Sequence, residues 1–336
     1  MQDPRQEQLA QWIGQQLNIS PPQLKSVSGD ASFRRYFRFS HQDTSLIAVD
    51  APPEHENNEA FCQLGKILAQ CKVLVPHFYH VDLRQGFLLV SDLGDRLLLP
   101  ELNQHNVNDY YQQAIDIIIQ IQSMPLEQLT NLPRYDQDKL AFELNLFNQW
   151  FVERHLQLSL SEQEQRIIIE VFNRLIESAL SQTPTLVHRD FHSRNLMLCD
   201  NRMAVIDFQD AVVGPASYDL VSLLKDCYVE WPGSQVARWV ADYHQKARKA
   251  GIIDNDEATF FRQFEWMGMQ RHIKVLGIFC RLNYRDQKPA YLKDLPLTFD
   301  YLKNAAARYP EFSDFHALLI DKLAPAMNPP SGVSIP

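Results

Sequence analysis

The stretch LVHRDFHSRNLML, residues 186–198, sets two histidines, an aspartate and an asparagine between apolar residues. Twelve residues after Asn195 a second apolar run, AVIDFQDAVVG, stops on another acid, Asp207. These types and spacings suit phosphoryl transfer. That reaction asks a protein to place an acceptor hydroxyl in line and to neutralise charge on the moving phosphate, chiefly with Mg²⁺. A carboxylate at Asp190 can accept the hydroxyl proton. Asn195, five residues on along the same loop, and Asp207 at the end of the next strand offer the oxygen ligands that Mg²⁺ prefers. A hairpin with CDNR (199–202) at its turn would set Asn195 and Asp207 side by side. Taken alone, such polar residues also fit a solvated or capped turn, and His188 fits a core histidine that holds the loop.

The elements that must carry these residues fall into two blocks. Residues 1–20 read as a short helix, with Leu9, Trp12, Ile13 and Leu17 at helical spacing before a stop at Ser20-Pro21-Pro22. From Leu24 to Pro53 the pattern turns to strands broken by small residues, a β-meander. A helix is expected from about Asn57 to Ala69, then strands again up to Gly94, with a turn near 84–86. From about 105 to 180 the period is helical: Tyr110, Ala114, Ile117, Ile118 and Ile121 share one face, and Leu140, Leu144, Phe147 and Phe151 another. Two short strands around 186 and 204 form a small β-insert before helices return. The expected division is 1–94, 95–325 and an irregular tail at 326–336.

Composition narrows the classes. A chain of 336 residues, 45% apolar, can bury substantial cores, and its length suggests about two domains. No apolar run approaches the roughly 18 residues that cross a bilayer, and the first residues carry no signal-like apolar segment, so a cytoplasmic protein without membrane partners is expected. The five cysteines (62, 71, 199, 227, 280) include no C-x-x-C pair and are expected to be reduced and packed. A net charge of -9 argues against nucleic-acid binding. Charge is also segregated: residues 101–180 hold 12 acids and 5 bases, whereas 262–293 hold 7 bases and 2 acids.

His188, Arg189, Asp190 and Asn195 match the H-R-D-x-x-x-x-N of the protein-kinase-like superfamily, and Asp207-Phe208 stands where its D-F-G stands, with Gln209 for the glycine. The Phe191-His192 pair resembles the aminoglycoside phosphotransferase branch, and no A-P-E signature follows. Within that branch the segments at 29–39, 48–54, 187–197, 206–226 and 270–296 are similar to the bacterial sugar kinases that phosphorylate N-acetylmuramate and N-acetylglucosamine at C1. The resemblance implies an α+β, two-lobed protein-kinase-like fold with a β-rich, nucleotide-binding N-lobe and a helical C-lobe that carries catalysis and the acceptor. It implies ATP and Mg²⁺ as cofactors and an N-acetyl amino sugar as the acceptor.

Roles follow from the same resemblance. Asp190 is the base, His192 contacts phosphate or sugar, and Asn195 and Asp207 hold Mg²⁺. Ser28, Gly29, Ser32, Phe33 and Arg34 lie around the nucleotide phosphates, while Ser91, Asp92 and Leu93 form the hinge that meets adenine. Arg194, Gln209, Arg271 and Arg281 are the acceptor candidates beside Asp190. His188 and Asp219 give structural support.

One departure stands out: no lysine occurs between Lys25 and Lys66, so the third strand lacks the usual phosphate-gripping lysine. Arg34, Arg35 or Arg38 is left to supply the charge, and Glu56 and Glu59 lose their usual ion-pair partner. N-acetylmuramate carries a lactyl carboxylate, which favours arginine, and Arg271, Arg281 and Arg285 in the basic stretch suit it; the competing view is that they are ordinary helix-surface charges. Phe147, Trp150 and Phe151 read as core. The alternatives to a sugar kinase are a kinase of aminoglycosides or another small molecule, and a non-catalytic ATP-binding regulator.

Overall fold

The computed structural model describes residues 3–27, 33–200 and 202–327. Ser28, Gly29 and Ser32 lie outside these. The chain forms two compact units. The first runs to Leu102 and takes in Arg194–Asp210, and the second holds Asn103–Ser193 and the chain from Ala211.

The first unit begins with α1 (Pro4–Leu17), started by Pro4 and by the Asp3 carboxylate, which accepts from the Gln6 amide at 3.2 Å. Strands β1 (Lys25–Val27), β2 (Arg35–His41), β3 (Thr44–Asp50), β4 (Phe78–Asp82) and β5 (Phe87–Ser91) make one antiparallel sheet in the order β1-β2-β3-β5-β4, and α2 (Asn58–Gln70) crosses between β3 and β4 in sequence. Strand alternation sends Phe37, Phe39, Leu46, Ala48, Phe87 and Leu89 to the face covered by Leu9, Trp12 and Ile13 of α1.

Asp50 shares that α1 face and is fully buried. Arg5 of α1 and Arg35 of β2 both reach it, each at 2.5 Å, and Arg35 also pairs with Asp3. This clamp fixes the helix to the sheet. Asp50→Ala removes charged hydrogen bonds and should lower unfolding free energy by about 2–3 kcal/mol in urea titration. A denaturation midpoint equal to wild type would refute the clamp's contribution.

The short α3 (Leu98–Glu101) closes this part of the chain. The hairpin expected around Asn195 and Asp207 forms as β7 (Leu196–Cys199) and β8 (Arg202–Val205), with Leu196 opposite Val205. It groups with the first unit rather than with 95–325, because the Leu198 amide donates to Arg96 O and the Val205 amide to Leu74 O, both at 2.8 Å. Sequence distance hides that pairing. The expected strand near 186, β6 (Pro184–Val187), pairs instead with an unforeseen β9 (Val212–Pro215) in the second unit.

The second unit is helical: α4 (Val107–Gln122), α5 (Gln137–Leu146) continuing as a π-helical segment (Phe147–His155), α6 (Glu162–Leu180), α7 (Tyr218–Leu224), α8 (Gly233–Lys249), α9 (Glu257–Tyr284), α10 (Leu295–Ala306), α11 (Ser313–Leu318) and α12 (Ala324–Met327). Ser161 and Glu164 form a capping box that starts α6. Helix α9 packs against α5, α6, α7 and α10. Gly277 lets it approach α5: a Cβ there would sit 2.4 Å from the Leu146 carbonyl carbon. Phe147 and Phe151 are fully buried, as the core reading expects. Ala326 and Met327, placed in the irregular tail by sequence, are helical because the chain continues straight from the preceding π turn. Among the described residues no helix is long and apolar enough to cross a membrane.

Candidate active site

The segment His188–Ser193 in the second unit is held by acids delivered from α7 and its end. Asp219, fully buried, accepts the backbone amides of His188 at 2.7 Å and Arg189 at 3.0 Å. Asp226 accepts from the Ser193 amide at 3.0 Å and its hydroxyl at 2.5 Å. The segment is thus pinned at both ends, and Asp190 lies between the pins. Arg189 adopts φ +76°, a left-handed conformation that costs a non-glycine residue free energy and persists only where surroundings enforce it. Asp219 enforces it. Burial pushes the Asp219 carboxyl up to about 7, even though the two amide donors work in the other direction.

Below this loop lies a buried charge cluster that sequence reading did not single out. Glu143 of α5 takes Lys274 Nζ at 3.1 Å and pairs with the Arg189 guanidinium and the Tyr135 hydroxyl. Lys274 also donates to the Tyr218 hydroxyl at 3.0 Å, and Gln270 to Tyr135 at 3.2 Å. A carboxylate on the apolar face Leu140–Leu144–Phe147 and a lysine inside the apolar stripe of α9 were the available signals. Two charges in separate apolar stripes need partners, and each is the other's. Burial raises the Asp190 carboxyl, but the charges of Lys274, His192, Arg189 and Arg271 outweigh it and hold the group below the ordinary carboxylate value. A carboxyl held below that value is ionised at neutral pH, the state that a general base requires.

Asn195 and Asp207 meet in the first unit. The β7–β8 hairpin brings the Asn195 amide to 3.3 Å from the Asp207 carboxylate, and Asn195 O accepts the Ile206 amide at 3.1 Å. Asp207 is exposed and adopts φ +65°. Gln209, in the glycine's place, donates to the other Asp207 oxygen at 2.7 Å and orients it. Two oxygen-bearing groups side by side fit the sparse protein ligation of Mg²⁺, which takes one or two carboxylates and completes its shell from phosphates and water.

The other expected residues fall as follows. Ser91 ends β5, and its hydroxyl accepts the His77 amide at 2.9 Å. Asp92 is bound by Arg38 at 2.6 Å and by Ser45 at 2.5 Å, while Leu93 O accepts the Cys199 thiol at 3.0 Å. Arg194 and His192 are partly exposed. Arg271 is buried, donating to Ser222 Oγ at 2.8 Å and to Cys227 Sγ at 3.6 Å, so it braces α9 against α7 and its end. The surface-charge reading fails for it. Arg281 is partly exposed, and Arg285 pairs with its neighbour Asp286 at 2.8 Å. The expectation that Glu56 lacks an ion-pair partner is overturned: Arg34 reaches it at 3.1 Å. The reason is that the cation comes from the residue before β2, not from β3.

A model of the phosphotransferase enzyme family matches residues 23–253. The chain belongs to that family. It is 40% identical over 335 residues to an N-acetylmuramate/N-acetylglucosamine kinase of Pseudomonas putida, covering 96% of this chain and 98% of the relative. A relative of the same name from Pseudomonas aeruginosa is 41% identical over 302 residues, 90% of this chain and 89% of the relative. Among solved structures, an ADP-bound aminoglycoside phosphotransferase, APH(2'')-Ib, superposes with a TM-score of 0.58 at 16% identity, covering 87% of this chain and 96% of that one. The fold of this family member is thus the α+β, protein-kinase-like fold, with an antiparallel sheet in the first unit and helices in the second.

Proposed function

We propose that the protein is an ATP- and Mg²⁺-dependent kinase that phosphorylates the C1 hydroxyl of N-acetylmuramate, N-acetylglucosamine or both, within cytoplasmic recycling of cell-wall sugars. The observation that carries this reading is likeness at about 40% identity, along nearly the whole chain, to kinases bearing those two sugars in their names. The braced loop around Asp190 supports it.

In this reading Asp190 accepts the anomeric hydroxyl proton as the oxygen attacks the γ-phosphorus. A new O1–P bond forms, the bond to the β-phosphate bridging oxygen breaks, and ADP leaves. Mg²⁺, when bound, neutralises charge on the β- and γ-phosphates, and Asn195 and Asp207 are the residues that would hold it. His192 contacts the phosphate or the sugar, and Arg194, Gln209, Arg271 and Arg281 serve the acceptor side. Ser28, Gly29, Ser32, Phe33 and Arg34 serve the nucleotide phosphates, and Ser91–Leu93 meet adenine. In this reading the buried Arg271 acts through its neighbours and the more exposed Arg281 meets the lactyl carboxylate.

Incubation with Mg-ATP and each amino sugar should consume the reducing end and release one ADP per sugar. Kanamycin should be a poor acceptor. Turnover of kanamycin with neither sugar phosphorylated would replace this reading with an antibiotic kinase, and ATP binding without transfer to any acceptor would leave a regulator.

A further inference from the structure

Three arginines on and before β2 compete for the charge that a third-strand lysine would provide, and the sheet register separates them. Arg35 lies opposite Asp50 on the α1 face and is engaged by Asp50 and Asp3. Arg38 is engaged by Asp92 at 2.6 Å and Asp95 at 2.8 Å. Arg34 has the opposite parity to Arg35, which places it with Tyr36 on the face turned away from α1.

There it is almost wholly buried, with a side chain 1% exposed. Its guanidinium sits 4.3 Å from the centre of the Phe61 ring of α2 and 3.1 Å from Glu56. Glu56 also accepts the Phe33 amide at 3.1 Å, which fixes the backbone just before Arg34. Phe61 in turn stacks on Phe208, with centroids 4.8 Å apart and planes 3° from parallel. Phe208 follows Asp207 directly. One ring therefore touches both the buried cation and the segment that carries the expected metal ligand.

Resting on the nucleotide reading above, we propose that Arg34, clamped by Glu56 and Phe61, grips the nucleotide phosphates in place of the absent lysine, and that Phe61 ties its position to the Asp207-Phe208 step. A guanidinium has five N–H donors in a fixed fork, so it can keep a carboxylate and hold a phosphate at once, which a lysine on the neighbouring strand does with a single ammonium. The Phe61 ring adds a cation–π contact that helps to hold the guanidinium in place. Lys66 of α2, the first lysine after β3, is exposed.

The test compares ADP with adenosine in calorimetry, in the presence of Mg²⁺. Arg34→Met should weaken ADP binding about 10- to 100-fold, the loss expected for hydrogen bonds to a charged group, while adenosine, which has no phosphates, binds as in wild type. Arg34→Lys should recover only part of the loss, because the ammonium keeps the charge and lacks the fork. Glu56→Gln, which keeps the arginine but frees its fork, should weaken ADP about 3- to 10-fold and carries the test if Arg34→Met does not fold. Unchanged ADP affinity in a folded Arg34→Met or in Glu56→Gln overturns the assignment, and so does equal loss of ADP and adenosine, which would mark a purely structural arginine. Wild-type protein that binds adenosine and ADP equally overturns it too, with the kinase reading left standing on the sugar assay; wild-type protein that binds neither takes down both.

Discussion

Asp190→Asn is expected to cut turnover by about 10²- to 10⁴-fold while ADP affinity stays near the wild-type value, because the amide keeps the shape of the carboxylate and loses only its capacity to accept a proton. The loop is positioned by other residues. Asp219 and Asp226 hold it through the amides of His188, Arg189 and Ser193, and none of those bonds uses the Asp190 side chain. A melting temperature close to wild type should accompany the loss. Steady-state assays of Asp190→Asn with N-acetylmuramate and Mg-ATP, run beside ADP calorimetry, check the claim. Retention of a tenth or more of wild-type turnover would show that positioning and charge do the work without a base.

Lys274→Met has the second-largest expected effect, and it acts on two observables. Lys274 shares Glu143 with Arg189, so its removal leaves a buried carboxylate with one cation fewer and should destabilise the fold by about 3–5 kcal/mol, measured by urea denaturation. It also leads the charges that lower the Asp190 carboxyl against burial. In wild type the acid limb of kcat/KM should therefore lie below the ordinary carboxylate value. In Lys274→Met it should move to higher pH, since burial still favours the neutral acid and its strongest opponent has gone. The sign for stability follows: a depressed carboxyl contributes stability that is present above its unfolded value and lost as pH falls through its folded value. An acid limb that does not move in the variant would separate Lys274 from the base and leave it a structural role alone.

The expected helix over 57–69 appears one residue along as α2, capped by Asn57, and among the described residues strands form at 25–27, 35–41, 44–50, 78–82 and 87–91, within the stretches expected for them. Alternation and caps are local, so sequence shows them. The hairpin that unites Asn195 and Asp207 was legible for the same reason: two short apolar runs flank a four-residue polar turn. Strand pairing was not legible where partners are distant. Leu186 meets Val213 rather than the nearer β7 or β8, a pairing between residues 27 apart that no local pattern marks. The charge cluster at Glu143, Arg189 and Lys274 was hidden because its members lie 46 and 85 residues apart along the chain, on two helices and a loop, so that a charge in an apolar stripe showed the need for a partner without showing which one.

What the sequence by itself determined was the reaction class. Asp190, Asn195 and Asp207 stand at fixed short spacings on a loop and a hairpin, where covalent geometry leaves little freedom and the motif is nearly its own structure. What only the tertiary structure decided was which cations serve the site and which serve the scaffold. Arg34, Arg35 and Arg38 are one residue type within five positions, yet strand alternation and the placement of Glu56, Asp50 and Asp92 send them to three different tasks. A charge's role is set by the field around it, and that field exists only after the chain has folded.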